Sequence, residues 1–326
     1  MLKIGVLGAG HLGKIHLKLL KELPQYEVVG FYDPNDEQAA KAQAETGLHR
    51  WADIEKLVNA VDVVDIVATT TAHYECAALA LKKSKHIFIE KPLTNTMEEA
   101  NSLLSLAHEA SVKVMVGHVE RFNPAFLAIA DRPLKPMFIE VHRLAQFNPR
   151  GTDVSVVLDL MIHDLDIVLS LVKANVRRIS ASGVAVVSKE PDIANARIEF
   201  DNGCVANLTA SRISMKQMRK VRLFQQDTYI SVDLLDKKTE IVSLRKRDED
   251  DDSMAFEIET GTDGEKKIIT FESPKILEGN AIKMELESFY DSIVNETEPR
   301  VTLMDGYNAL HVAHQILEKI EKNKIA

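Results

Sequence analysis

The string Gly8-Ala9-Gly10-His11-Leu12-Gly13 directly follows a short apolar run, Ile4 to Leu7. Its placement constrains the chain more than the glycines alone, because it sits where a strand would turn into a helix. Gly8 suits the tight turn, Gly10 lets the backbone approach a pyrophosphate, and Gly13 lets the helix pack closely on the strand. The helix then offers free N–H groups and the positive end of its dipole to phosphates. A second strand is expected over Tyr26 to Tyr32, ending at Asp33. An acid about 20 residues beyond the glycines stands where a carboxylate accepts hydrogen bonds from a ribose. Its charge disfavours a 2′-phosphate, so NAD is expected over NADP. The alternative, an ordinary turn and an ordinary strand end, does not account for turn, helix and acid agreeing in position.

At 326 residues the chain exceeds one typical core and suits two domains. A formal net charge of −9 argues against a nucleic-acid surface. The only cysteines, Cys76 and Cys204, have no near partner, so neither a disulfide framework nor a cysteine metal site is expected. Met1 leads straight into the first apolar run, and no long apolar stretch follows, so the expectation is a cytoplasmic protein without a membrane segment.

Strand and helix patterns alternate through the first third. Val61 to Val67 reads as a buried parallel strand, followed by Thr69 and Thr70 at the crevice end. His86 to Ile89 reads as the next strand, with Glu90-Lys91-Pro92 after it, and Val112 to Val116 as another, ending at Gly117-His118. This is the grammar of a doubly wound parallel sheet. Beyond about residue 120 one apolar helix, Val154 to Val172, stands among strand-like stretches at 137–147, 179–187, 194–200, 204–211, 221–224, 229–235, 240–244 and 267–271. Asp201-Asn202-Gly203 is a hairpin turn signal, and consecutive strands without helices imply a largely antiparallel sheet. Two helices, near 282–295 and 303–322, close the chain. The expected boundaries are 1–120 for a dinucleotide-binding domain and 121–326 for a substrate and oligomerisation domain, with the last helix packing back toward the first. Arg245 to Asp252 is a charge run expected at a solvated loop.

Three groups carry chemistry. Lys91 ends a buried strand beside the crevice, where an ammonium suits acid–base work; a surface lysine after a strand is the plain alternative. Asp159, His163 and Asp166 stand at i, i+4 and i+7, one face of a helix. A carboxylate one turn from an imidazole orients it, as in a proton-relay pair, or the two form a structural hydrogen bond. No second histidine pair accompanies them, so no metal is expected. Arg121, within Gly117-His118-Val119-Glu120-Arg121-Phe122-Asn123-Pro124, would clamp a phosphate or carboxylate, or pair with Glu120.

With the glycine string, Asp33, Glu90-Lys91-Pro92, Gly117-His118, Arg121-Phe122-Asn123-Pro124 and Asp159 through Asp166 in place, the chain resembles the glucose-fructose oxidoreductase / inositol dehydrogenase / MocA family over nearly its whole length. The resemblance implies an α/β protein: a Rossmann doubly wound parallel sheet, then a C-terminal α/β domain with a large, mostly antiparallel open-faced sheet that mediates homodimers or homotetramers. It implies Lys91, Asp159 and His163 as the catalytic set. Gly8, Gly10, His11, Leu12, Gly13, Asp33, Thr69, Thr70, Glu90 and Lys91 would bind NAD, and Arg121, Asn123 and Asp166 would bind substrate. The implied activity is hydride transfer between a secondary alcohol of a sugar and the nicotinamide. The motif versions are most similar to those of members acting on UDP-N-acetyl-hexosamines or their uronates. A glycine-rich run precedes the aspartate in that family; Ser155-Val156-Val157-Leu158 stands there instead. An NAD-dependent glycoside hydrolase of the same family, or a non-catalytic NAD-binding regulator, are the other readings.

Overall fold

The computed structural model describes residues 1–148, 154–246, 256–260 and 265–323. Met1–Phe122 and Gly279–Val312 make one unit, and Asn123–Glu278 with Ala313–Ala326 make the other.

In the first unit the apolar runs become strands because helices cover both of their faces. β1 (Leu2–Leu7), α1 (His11–Lys21), β2 (Tyr26–Tyr32), α2 (Asp36–Thr46), α3 (Ile54–Asn59), β3 (Val63–Ile66), α4 (Thr70–Lys82), β4 (His86–Glu90), α5 (Met97–Ala110) and β5 (Val114–Gly117) follow in order. The strands pair in parallel as β2-β1-β3-β4-β5. The order reverses between β1 and β3, the switch point at which open α/β sheets bind ligands. Asn35, Asp53 and Thr96 cap α2, α3 and α5 through their side chains, and Thr96 with Glu99 completes a capping box. A 3₁₀ turn, Val119–Phe122, ends this stretch.

The second unit begins with α6 (Pro124–Ala130), capped by Asn123 with proline in its first turn. This short helix lies where the sequence suggested only a junction, although Asn-Pro is itself a helix-start signal. After β6 (Phe138–Leu144) comes the expected apolar helix, but not as one regular element. Val157–Met161 is a π-helical turn, and only then does α7 (Ile162–Val172) begin. The remaining strands are β7 (Val176–Val184), β8 (Ile193–Phe200), β9 (Val205–Ser211), β10 (Met218–Gln225), β11 (Thr228–Asp233), β12 (Lys238–Lys246), β13 (Phe256–Thr260) and β14 (Glu265–Glu272). They form a nine-stranded sheet, β13-β14-β12-β11-β10-β6-β9-β8-β7, antiparallel except where β6 meets β9. β6 and β8 alternate buried and more exposed residues, the period-two mark of a sheet with one covered face. The Asp201-Asn202-Gly203 turn joins antiparallel β8 and β9 as expected. β13 was not expected: its five residues follow the charge run in sequence, and most of that run (247–252) lies outside the described residues.

Two helices close the chain, α8 (Ala281–Val294) and α9 (Leu303–Lys322). α8 belongs to the first unit, where Tyr26 Oη donates to the Leu286 carbonyl at 2.9 Å and Phe289 packs 6.1 Å from Phe88. The two units of the α/β fold are thus a five-stranded parallel sheet of Rossmann type and a mostly antiparallel sheet of nine strands. Among the described residues, no helix is long and apolar enough to cross a membrane.

Candidate active site

The glycine string forms the turn between β1 and α1. Gly8 has φ +102°, a left-handed conformation that a side chain would strain. A Cβ on Gly13 would lie 2.1 Å from the Gly8 carbonyl oxygen, so only glycine lets α1 begin this close to the strand end. The start of α1 has no side-chain cap and no acid in its first turn, leaving its positive end for an anion. Asp33, at the end of β2, is buried; its Oδ2 accepts the Ala9 N–H at 2.7 Å and its Oδ1 the Asn35 N–H at 2.8 Å. The aspartate therefore pins the middle of the glycine turn. A cleft of about 500 Å³ opens beside it, lined by Gly8, Asp33, Asn35, Gln38, Thr69 and Cys76. Thr69 is the residue before α4 and Thr70 its first residue. A glycine turn, an open helix N-terminus and a carboxylate around one cleft at the switch point fit a dinucleotide. His11 is exposed and Leu12 half-buried at the start of the same helix.

Lys91 follows the last residue of β4, half-buried, and its peptide bond to Pro92 is cis. His73 of α4 ties this turn to the loop after β3, with Nδ1 2.9 Å from the Pro92 carbonyl and Nε2 3.1 Å from that of Ala68. Glu90 directs its carboxylate inward: Oε2 accepts the Lys91 backbone N–H at 3.2 Å and Oε1 lies 3.4 Å from His16 Nε2. His16 Nδ1 lies 3.0 Å from Asp65 Oδ2. Burial pushes the His16 imidazole down, yet the Asp65 and Glu90 carboxylates outweigh it and hold it well above its ordinary range. Burial drives Asp65 upward against the pull of His16. His118, after β5, is buried, and burial with the Lys91 and Arg121 charges lowers it to about 3, leaving a neutral ring. Arg121 donates to the Arg300 carbonyl at 3.2 Å.

In the second unit Asp159 lies inside the π-helical turn and His163 in the first turn of α7, both half-buried. The expected i, i+4, i+7 face assumed a uniform α-helix. A π turn carries one more residue per turn and re-aims the side chains within it, and such turns recur at functional sites. Asp166 is buried at 2% exposure, and Asn123 spends its amide on the fold, accepting the Ala125 N–H at 3.1 Å and donating to the Leu234 carbonyl at 2.9 Å. Two buried ion pairs hold the helix, and sequence reading did not single them out. Arg143 of β6 donates Nε and Nη2 to the two carboxylate oxygens of Asp164 at 2.9 and 2.7 Å. Asp192 accepts the Val186, Val187 and Ser188 N–H groups at 2.7–3.0 Å and faces Arg212, which donates to the Val154 and Pro191 carbonyls. Asp164 stands in a mostly apolar helical segment, a signal that it needs a buried partner, but that partner lies 21 residues away on β6.

Residues 2–118 match an oxidoreductase family with an NAD-binding Rossmann fold, and residues 136–230 match the GFO/IDH/MocA C-terminal domain. The chain is similar to UDP-N-acetylglucosamine 3-dehydrogenase of Acidithiobacillus ferrooxidans, 39% identical over 72% of this chain and 74% of that protein. It is also similar to scyllo-inositol 2-dehydrogenase (NAD(+)) of Bacillus subtilis, 31% identical over 65% of this chain and 68% of that one. A solved structure of the Acidithiobacillus protein, GnnA, superposes with a TM-score of 0.88 at 33% identity, covering 98% of each chain. With the glycine turn, both sheets and these relatives in agreement, the chain belongs to the GFO/IDH/MocA family of NAD-binding oxidoreductases.

Proposed function

We propose that this protein is an NAD-dependent dehydrogenase of a nucleotide sugar, oxidising a secondary hydroxyl of a UDP-N-acetyl-hexosamine. The observation that carries the cofactor half is the cleft at the β1–β3 switch point, where the open N-terminus of α1 and the Asp33 carboxylate meet the glycine turn. The sugar half rests on the relatives, one acting on UDP-N-acetylglucosamine and another on an inositol.

Bound NAD supplies the hydride acceptor, C4 of the nicotinamide. In this reading Gly8, Gly10, His11, Leu12 and Gly13 hold the pyrophosphate, Asp33 the adenosine ribose, and Thr69 and Thr70 the crevice edge. His163 takes the proton of the reacting hydroxyl while Asp159 orients its ring. Lys91 donates a hydrogen bond to the same oxygen and offsets the charge that develops there. Arg121 contributes to substrate binding, and the protein works as a homo-oligomer.

Absorbance of NADH on mixing the protein with NAD⁺ and UDP-N-acetylglucosamine tests the reading directly. His163→Ala is expected to lower kcat by about 10²–10⁴-fold, the usual worth of general acid–base assistance, with NAD affinity nearly intact. Unchanged turnover would remove His163 from the mechanism. NAD binding with no NADH from UDP-sugars, sugars or inositols would overturn the dehydrogenase assignment.

A further inference from the structure

Four ionisable side chains from four elements meet inside the first unit: His16 of α1, Asp65 of β3, Glu90 of β4 and Glu285 of α8. Three are fully buried and Glu90 is 7% exposed. His16 contacts Asp65 through Nδ1 and approaches Glu90 through Nε2, while Glu285 offers a carboxyl oxygen within 4.8 Å of both a His16 ring nitrogen and a Glu90 carboxylate oxygen. Neither Glu285 oxygen has a hydrogen-bond partner among the described residues. Three carboxylates against one imidazolium would leave two uncompensated buried charges, and each costs several kcal/mol. The arrangement of least cost keeps His16 protonated between Asp65 and Glu90, and keeps a proton on Glu285. Burial, followed by the Glu90 charge, raises Glu285 well above the ordinary carboxylate range, in the same sense.

Other groups bear on this cluster. The Tyr26 hydroxyl lies on the Asp65 side, raised by burial and by that charge. His73 and His118 feel Glu90 and are lowered mainly by burial, and His118 also faces Lys91, Arg121 and Asp305. None of them replaces the missing positive charge inside the cluster. Glu90 is the one member that also touches the residue we assign to the reaction, since its second oxygen accepts the Lys91 N–H.

We propose that Glu90 is a positioning residue for Lys91, its carboxylate fixed from behind by a buried proton store made of His16, Asp65 and Glu285. The proposal rests on the assignment of Lys91 to the reaction. Two protons are held where a divalent ion would otherwise balance the charge. Replacing Glu90 removes the carboxylate next to Lys91, whereas replacing Glu285 by glutamine exchanges one neutral group for another of the same shape.

The test uses the intact protein with NAD⁺ and, as substrate probe, UDP-N-acetylglucosamine. Infrared difference spectra of wild type against Glu285→Gln should contain the stretch of a protonated carboxyl group. Metal analysis of the same preparations should find no stoichiometric divalent ion. Glu90→Gln should lower kcat at least about tenfold, equivalent to about 1.4 kcal/mol, with KM changed by less than about threefold. The limb of its pH profile that needs a cationic Lys91 should move to lower pH, Glu90→Asp should restore the midpoint in part, and Glu285→Gln should leave the midpoint in place. If wild type does not turn over the probe, the substrate reading fails by itself. The pH dependence of NADH affinity, compared between wild type and Glu90→Gln, then carries the same comparison. A missing carboxyl band, one ion per chain that Glu285→Gln removes, or superimposable wild-type and Glu90→Gln profiles would overturn the proposal.

Discussion

At the scale of single residues, Asp33 holds the Ala9 N–H of the glycine turn as well as standing where a ribose would be bound. The two roles separate by substitution. Asp33→Asn retains an acceptor for Ala9 but loses the charge that, in the proposed reading, rejects a 2′-phosphate, so it should bind NAD with modest loss while its expected preference over NADP falls. Asp33→Ala removes both and should weaken NAD binding about tenfold or more, a loss of about 1.4 kcal/mol. Fluorescence titrations with NADH and NADPH measure both effects. An unchanged preference in Asp33→Asn would mean that the carboxylate serves only the turn.

At the scale of elements, the segment bearing Asp159 and His163 is held by charge pairs rather than by helix propensity. The β-branched and leucine-rich run 156–172 packs readily, but packing alone does not set its rotation. The bidentate Arg143–Asp164 pair joins the start of α7 to β6 at one angle, and Arg212, backed by Asp192, receives the backbone just before the π turn. Breaking a buried pair leaves an uncompensated charge, so Asp164→Ala should cost about 3–5 kcal/mol. Joint replacement, Arg143→Met with Asp164→Leu, should recover most of that, because two well-packed apolar side chains carry no desolvation cost. Urea unfolding of wild type and the two variants gives the comparison. A double variant as unstable as the single one would show that the pair supplies more than charge balance.

At the scale of the whole molecule, the buried histidines set how stability depends on pH. His118 and His73 have folded-state values below the unfolded value of about 6.5, so the unfolded chain binds more protons in acid and stability is lost as pH falls below 6.5. His16 is displaced upward, so its contribution is complete below 6.5 and is lost as pH rises through its folded value. From these groups stability should be greatest near pH 6.5 and decline on either side. His118→Leu should flatten the acid side, gaining at least about 1.4 kcal/mol relative to wild type at pH 4. Thermal melts across pH measure this, and an unchanged acid limb in His118→Leu would show that His118 titrates normally.

Much of this protein was legible in its sequence, because local patterns suffice for it. The strand–glycine–helix turn, the Asp33 strand end, the parallel α/β order and the hairpin at Asp201-Asn202-Gly203 depend on residues close together in the chain. Tertiary structure alone decided what depended on distant partners. Asp65 read as one charge in a β-branched strand, and Glu285 as one glutamate on a C-terminal helix. Only folding brought α1, β3, β4 and α8 around a shared set of protons. The π turn at Asp159 was equally invisible. The hydrophobic pattern of 154–172 fits a regular helix, and the deviation accompanies anchors to β6 and to the 186–192 loop that no local spacing records. The sequence by itself determined the order of the elements and the chemistry available to them. The tertiary structure decided which charges are paired, which are neutral, and which way the side chains of the 156–172 segment face. Burial sets those outcomes, and burial is a property of the assembled fold.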